Sequence, residues 1–252
     1  MKKNLIIAVA AAVVIASQGL FAQEEKAPEQ YIYATYFYCD TSRQEDADEL
    51  IKKNSAPIYD AAVADGTIGA WGWLSHHTGG KWRRLQYHTS DSIAGLLAAQ
   101  ETIGERSEQA GVDNDGFAQI CSAHDDYIWR VIVGNELQTE RGTAGLSVYE
   151  ICDISREMRA DEIVKTVFAP VFNKAVADGK IASWGWNEHI VGGKYRRLMT
   201  MTGKDFPGLL KARGEILDEI WGEEGDNPVA NEYGSICGSH SDYLWEIAHE
   251  KN

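Results

Sequence analysis

The chain has 252 residues, of which 44% are hydrophobic and 25% are charged, so it can bury a sizeable core. It carries 38 acidic against 24 basic side chains, and the formal net charge of −14 argues against a nucleic-acid binder. The 8 Trp and 11 Tyr argue against disorder, and no apolar run after the N-terminus is long enough to span a membrane.

The first residues, MKKNLIIAVAAAVVIASQGLFA, predict a secretory signal peptide over residues 1–22. Lys2 and Lys3 form its positive region, residues 5–16 form its apolar core, and cleavage is expected after Ala22. The alternative is an N-terminal anchor helix, for which the apolar core is short. Residues 23–30 are a charged leader segment. We therefore expect a periplasmic or secreted protein with no membrane span after signal removal.

The rest of the chain is an internal repeat. Residues 36–89 recur as residues 149–202 with a constant offset of 113, and 28 of the 54 aligned positions are identical. Further on, ICSAHDDYIW recurs as ICGSHSDYLW with an offset of 116. Such agreement indicates a duplication. The predicted boundaries are a first repeat over residues 31–133, a linker over residues 134–145 and a second repeat over residues 146–252.

Each repeat begins with a strand and a helix. Residues 35–40 are aromatic and β-prone, which is typical of a strand. Apolar residues then recur three, four and seven positions apart, as on one face of a helix. We expect Pro57 and Pro170 to kink or break these helices, and Gly66 and Gly179 to end them.

A hairpin, a second helix and a last strand complete the repeat. The hairpin joins residues 68–77 to residues 81–89 across Gly79-Gly80, a pair that tolerates a tight turn. The second helix begins near Ser92, or near Asp205 in the second repeat. The last strand is expected over about residues 117–133.

The resulting order, βαββαβ, is that of the ferredoxin-like unit, whose open sheet face needs a partner. Two units in tandem resemble the dimeric α+β barrel superfamily in pseudo-dimeric form. The predicted fold class is therefore α+β, with two tandem ferredoxin-like units packed as a pseudo-dimeric barrel. A monomer is possible because the pseudo-dimer lies within one chain. The resemblance implies a ligand cavity between sheet and helices or between sheets. Members include cofactor-free monooxygenases, haem-handling enzymes, isomerases and plain binding proteins, so the fold alone selects no function.

Each repeat contains one pair of cysteines. In a ferredoxin-like sheet the first and last strands are antiparallel neighbours, which brings Cys39 to Cys121 and Cys152 to Cys237 within bonding reach. Because export permits oxidation, we predict these two disulfides. Buried free thiols are the alternative, and a zinc site is disfavoured because no CxxC spacing is present.

The hairpins supply most of the candidate ligand-binding residues. A two-residue turn would place His76 opposite Arg83 and Ser75 opposite Arg84, with His76 on one face and Arg84 on the other. The tryptophans can line a cavity or pack as inter-sheet core, and the arginines can hold an anion or form surface pairs. The candidate ligand-binding residues are Trp71, Trp73, His76, Arg84, Tyr127, Trp184, Trp186, His189, Arg197 and Tyr243.

The last strands supply the candidate catalytic residues. A histidine two positions from an aspartate on a strand points the same way, and a carboxylate-oriented imidazole can act as a general base. The alternative is a structural pair that ties the strand to a loop. The four candidates are His124, Asp126, His240 and Asp242. Because the first repeat is richer in His and Asp, we expect it to hold the active pocket.

No phosphate-binding, dinucleotide-binding, metalloprotease or haem-attachment motif is present in the sequence. A metal site would require His76 to meet His124 and Asp126 in space. No cofactor or metal is therefore predicted. The sequence favours an exported small-molecule-binding protein. The alternatives are a cofactor-independent enzyme of oxygenase or isomerase type that uses a His/Asp pair, and a structural or interaction module without a pocket.

Overall fold

The computed structural model describes residues 29–112, 114–135, 141–222 and 224–252. The predicted signal peptide, most of the leader and residues 136–140 of the linker lie outside this part of the chain. The strands of the described residues are β1 (Tyr31–Cys39), β2 (Trp71–Gly79), β3 (Arg84–Ser90), β4 (Cys121–Gly134), β5 (Ala144–Ile151), β6 (Ser183–Val191), β7 (Arg197–Gly203) and β8 (Ser239–Lys251).

The helices of the first half are α1 (Gln44–Leu50), α2 (Ala56–Ala64), α3 (Ile93–Gln109) and α4 (Asn114–Ala118). Those of the second half are α5 (Glu157–Ile163), α6 (Ala169–Ala177), α7 (Phe206–Trp221) and α8 (Pro228–Ile236). In the described part of the chain, none of them combines the length and the hydropathy that a membrane crossing needs.

The eight strands form one closed antiparallel barrel in the order β1-β3-β2-β8-β5-β7-β6-β4. In each half the first strand lies between the third and the fourth, and the second strand lies at the edge beside the third. The halves join where β2 pairs with β8 and where β4 pairs with β6. Each half therefore covers the open sheet edges of the other. The predicted α+β class is confirmed, together with the closed barrel.

Both predicted disulfides are present. Cys39 is bonded to Cys121 and Cys152 to Cys237, across 82 and 85 residues of chain respectively. The first link joins β1 to β4, where Cys39 and Cys121 are register partners at the end of the ladder. The described chain has no free cysteine. The alternative of buried thiols is therefore wrong.

The hairpin register is also confirmed. Ser75 lies opposite Arg84, and the backbone N–H of His76 donates to the carbonyl of Arg83 at 3.0 Å. In the second half Trp186 lies opposite Met199, as the alignment of the two repeats requires. Gly79 has a φ of +129°, in a region that only glycine adopts without strain, so the turn chemistry fixes this register.

The first helix of each repeat is interrupted just before its proline. A π-helical turn (Ile51–Ser55) separates α1 from α2, and another (Val164–Phe168) separates α5 from α6. Pro57 and Pro170 then occupy the first turn of the following helix, where their missing N–H costs nothing. The predicted break is therefore a π-helical turn. Gly66 and Gly179 follow the ends of α2 and α6, with positive φ angles of 78° and 70°.

The last strand of each repeat begins later than expected. Residues 114–118 form the short helix α4, and β4 starts only at Cys121. In the second half α8 likewise precedes β8. Asn227 caps α8, because its side chain accepts from the backbone N–H groups of Val229 and Ala230. In each half a short helix therefore takes the place of the first residues of the predicted strand.

The barrel lumen is filled mainly by aromatic rings. Tyr36 and Tyr149 lie on β1 and β5, on opposite sides of the barrel, with ring centroids 5.4 Å apart. The rings of this cluster belong to Tyr36, Trp82, Tyr87, Tyr127, Trp129, Tyr149, Tyr195, Tyr243 and Trp245. A cavity of about 60 Å³ remains among them. The space between the two halves is thus largely packed, and room for a ligand lies on the other face of the wall.

Candidate functional site

A cavity of about 470 Å³ lies in the second half, between the barrel wall and the helices. Its walls are mostly apolar. Val148, Phe168, Phe172, Met199, Met201, Ile216, Leu217, Ile220 and Trp221 form them. Its polar lining comes from Glu150, Arg213, Asp218, Tyr233 and His240. A concave, apolar space with a few polar groups is typical of a small-molecule site.

A buried acid and phenol face this cavity. The Tyr233 hydroxyl donates to Oε2 of Glu150 at 2.5 Å, and both side chains are buried. Burial raises the pKa of Glu150 to about 8, while the Tyr233 hydrogen bond and the charge of Arg197 offset only part of that effect. Burial also raises the pKa of Tyr233 well above its ordinary value. Glu150 is therefore mainly an uncharged carboxylic acid at neutral pH.

The fold places this pair where strand and helix meet. Glu150 lies near the end of β5, on the same face as Val148, and this face is turned toward the helices rather than the lumen. Tyr233 comes from α8, immediately before the Cys152–Cys237 disulfide. The disulfide ties the start of β8 to the end of β5, so the acid and the phenol are held on rigid elements.

The rim of the cavity carries a charged cluster. Nδ1 of His240 lies 2.6 Å from Oδ1 of Asp242, and Nη2 of Arg213 donates to Oδ2 of the same carboxylate at 2.8 Å. His240 and Glu150 are register partners on β8 and β5. The His240 side chain is 47% exposed, so the cluster stands between solvent and the buried acid. Of the four candidate catalytic residues, His240 lines this cavity, and Asp242 contacts it through the His240 imidazole.

The first half has a different arrangement at the same positions. Phe37 aligns with Glu150 and Phe117 aligns with Tyr233, and the two phenyl rings pack edge to face at 5.2 Å. The cavity between wall and helices here is about 180 Å³, and its lining mixes polar residues such as Asn54 and Gln86 with apolar ones such as Ile51. Nε2 of His124 lies 3.2 Å from Oδ2 of Asp126. The His124 side chain is half exposed and does not line this cavity.

The expectation that the first repeat holds the active pocket stays a prediction, although the larger of these two cavities lies in the second half. His77 and Asp125, by which the first repeat is richer in His and Asp, do not line its cavity. The cavity of the second half has mostly apolar walls, and one buried acid, Glu150, lines it.

The hairpin arginines are buried partners of helix carboxylates. Arg84 donates to both oxygens of Asp48 at 2.6 Å, and Arg197 donates to both oxygens of Asp161 at 2.7 Å. Arg197 also lies 3.3 Å from Glu157. Two-pronged pairs of this kind fix helix against sheet. The alternative of surface pairs is therefore wrong, because both side chains are buried, and neither arginine lines the 470 Å³ cavity.

The tryptophan pairs lie in the same helix-to-sheet interface. The indole N–H groups of Trp73 and Trp186 donate to Asp48 and Asp161 at 2.7 and 2.9 Å. Trp71 and Trp184 are equally buried, and they donate to Asp60 and Asn173 at 2.8 and 2.9 Å. These rings pack under helices rather than between sheets, and they do not line the 470 Å³ cavity. Their structural role is to anchor the helices.

The remaining candidates lie at the hairpin ends and in the lumen. His76 contacts the Arg83 guanidinium at 2.9 Å, and His189 contacts that of Arg196 at 2.7 Å. Burial, and then the neighbouring arginine, lowers the pKa of both histidines. Tyr127 and Tyr243 belong to the aromatic filling of the barrel. The Tyr243 hydroxyl accepts from the backbone N–H of Lys81 at 3.0 Å, which ties the two halves together.

The described residues contain one group of at least three side chains with ligand atoms close enough to hold a metal ion: Glu150, Cys152 and Cys237. Both cysteines are bonded to each other, so they offer no thiolate. The hypothetical set of His76, His124 and Asp126 does not appear as such a group.

Glu150 and Tyr233 were missed by sequence reasoning. A glutamate in an apolar strand is not itself a site signal. The signal that could have found the pair is the difference between repeats, where two phenylalanines align with an acid and a phenol. A concerted exchange of two distant apolar positions for two polar ones implies that they meet.

Neither a scan against protein-family models nor a search of curated proteins finds a match. Among solved structures, a candidate monooxygenase from Lactobacillus acidophilus aligns with a TM-score of 0.59 at 8% identity, over 88% of this chain and 96% of that one. A second candidate monooxygenase, from Fusobacterium nucleatum, gives 0.60 at 9% identity, over 90% and 95%. An anthrone oxidase-like protein gives 0.53 at 11% identity, over 90% and 94%. Identities this low speak for the fold alone, and the chain has the fold of the dimeric α+β barrel superfamily.

Proposed function

We propose that this protein is an exported binding protein for a small, largely apolar molecule, held in the 470 Å³ cavity of its second half. The observation that carries the proposal is the contrast within that cavity. Its walls are mostly aliphatic, aromatic and thioether groups, its buried polar groups are the Glu150–Tyr233 pair, and Arg213, Asp218 and His240 add charged or polar side chains to the lining. Such a lining favours a compact apolar ligand with one polar group.

The proposed organisation is two ferredoxin-like units, over residues 31–133 and 146–252, with a linker over residues 134–145. The internal repeat and the matching strand order of the two halves support it. The proposed location is the periplasm or the extracellular space. The signal-like N-terminus supports export, and so do two disulfides, which form and persist in oxidising compartments.

A filled cavity tests the proposed binding. Val148→Phe adds a ring to the cavity wall, whereas Thr35→Phe adds the same ring at the aligned position of the first half. With naphthalene as the probe in a calorimetric titration, we expect one site in the wild type and in Thr35→Phe, and none in Val148→Phe. Binding that survives Val148→Phe, or no binding by the wild type, would refute the location or the function.

The second candidate function is a cofactor-independent oxygenase or isomerase in the same cavity. Two of the structural neighbours are candidate monooxygenases, and a third is an anthrone oxidase-like protein. The chemistry needs a group that exchanges a proton with the substrate near neutral pH, and Glu150, with its pKa raised by burial to about 8, is such a group. Here Glu150, rather than the rim pair His240 and Asp242, is the proposed base.

Anthrone separates the two functions. Its oxidation by O2 to anthraquinone and water requires removal of a proton from the methylene carbon. An enzyme should accelerate O2 uptake above the protein-free rate, increasingly as the pH rises through about 8, and Glu150→Gln should abolish the acceleration. Uptake at the protein-free rate across this range, in the presence of binding, would favour the plain binding protein.

A further inference from the structure

We infer that the cavity selects an uncharged ligand bearing a hydrogen-bond acceptor, such as a carbonyl oxygen, which the protonated carboxyl of Glu150 receives, and that the ligand is released when this proton is lost. This inference rests on the proposed binding function. It assigns Glu150 as the specificity-determining residue of the site.

The two carboxyl oxygens of Glu150 have different surroundings. The hydrogen bond that the structure gives to Glu150 comes from Tyr233 and ends on Oε2. Because that oxygen already accepts from the phenol, the carboxyl proton belongs on Oε1. Glu150 lines the cavity, so a proton on its free oxygen is the donor available to a bound molecule.

Several charged side chains surround the carboxyl group of Glu150. The charged and titratable groups of the neighbouring elements are Arg197 on β7, His240 and Asp242 on β8, Asp161 and Glu157 on α5, Arg213 and Asp218 on α7 and Tyr233 on α8. The two arginines are already engaged, Arg197 by Asp161 and Arg213 by Asp242. The charge of Arg197 offsets only part of the rise in the pKa of Glu150, and the nearby Asp242 charge favours the neutral form.

These surroundings disfavour both anionic ligands and amines. An anionic ligand would have to lie in an apolar cavity whose floor carries a second acid, and its desolvation would go uncompensated. An amine would need the ionised form of Glu150, so it would have to supply the free energy of deprotonating a buried acid. A neutral hydrogen-bond acceptor binds to the protonated form of Glu150. It therefore avoids both the desolvation cost of an anion and the cost of deprotonating the acid.

The aligned pair in the first half provides a matched control. The double variant Glu150→Phe/Tyr233→Phe copies the Phe37–Phe117 pair, which packs at the same place of the same fold. It removes the donor and keeps the fold. Glu150→Gln is the complementary variant, since its amide donates a hydrogen bond at every pH.

The experiment compares three probes of the same size by calorimetric titration: 2-acetylnaphthalene, its hydrocarbon isostere 2-isopropenylnaphthalene and 2-naphthylmethylamine. At pH 6.5 the ratio of ketone to hydrocarbon affinity should fall about tenfold from the wild type to the double variant, as the loss of one hydrogen bond implies. Ketone affinity of the wild type should fall at least tenfold between pH 6.5 and 9.5, and that of Glu150→Gln should stay level.

The outcomes separate this inference from the proposed function. Hydrocarbon binding with an unchanged affinity ratio in the double variant would overturn the inference and leave the binding function standing. An amine that binds more tightly than the ketone, and more tightly as the pH rises, would also overturn it. If none of the three probes binds the wild type, the binding function itself fails.

Discussion

Glu150 should make the stability of this protein fall with rising pH in a window where most acids have already ionised. The folded protein keeps the carboxyl protonated up to a pKa of about 8, whereas a glutamate in the unfolded chain ionises near 4.5. Between these values the folded state binds more protons than the unfolded state, so raising the pH favours unfolding. The stabilisation is fully present below about pH 4.5 and is lost as the pH passes through about 8.

The magnitude follows from the two pKa values. The interval from 4.5 to about 8 corresponds to roughly 5 kcal/mol, at about 1.4 kcal/mol per pH unit. Glu150 is only 6% exposed, so solvent screening removes little of this. Relative to Glu150→Gln, the free energy of unfolding of the wild type should therefore decline by several kcal/mol across the window. A loss of that size is comparable with the whole stability of many domains.

Urea unfolding of the wild type and of Glu150→Gln at pH 5, 6, 7, 8 and 9 measures this difference directly. The variant removes one titrating group and leaves the others in place, so the difference between the two curves isolates Glu150. Glu105→Gln, an exposed position in the first half, reports the effect of losing a surface carboxylate. If the wild-type and Glu150→Gln curves stay parallel from pH 5 to 9, the reasoning about the buried acid is wrong.

Three further predictions concern the scaffold and its processing. Replacing Cys152 and Cys237 by alanine removes the link that spans 85 residues and should lower the free energy of unfolding by about 4–5 kcal/mol, as urea titration of this double variant against the wild type would show. Asp161→Asn should destabilise by about 3 kcal/mol because it deprives the buried Arg197 of its two-pronged partner, and a melting temperature within a degree of the wild type would contradict this. Protein recovered from the envelope should have an intact mass that lacks residues 1–22, whereas a full-length mass would refute cleavage after Ala22.

The sequence by itself determined the elements that local chemistry controls. The duplication followed from identities between the repeats, and the hairpin register followed from the Gly79-Gly80 turn. The disulfides followed once the strand order was assumed, because adjacent antiparallel ends leave each cysteine one near partner. These features depend on contacts that are close in sequence or repeated twice in it, and both kinds can be read from one chain.

Only the tertiary structure decided which face of each strand looks into the barrel and where space remains. Strand parity divides residues into two sets, but here both faces are covered, one by helices and the other by the opposite wall, so both sets are apolar. The tryptophan pairs therefore could not be assigned to core or cavity in advance. The role proposed for Glu150 depends on its burial against Tyr233, 83 residues away. Burial is a property of the packed chain, which a strand pattern does not contain.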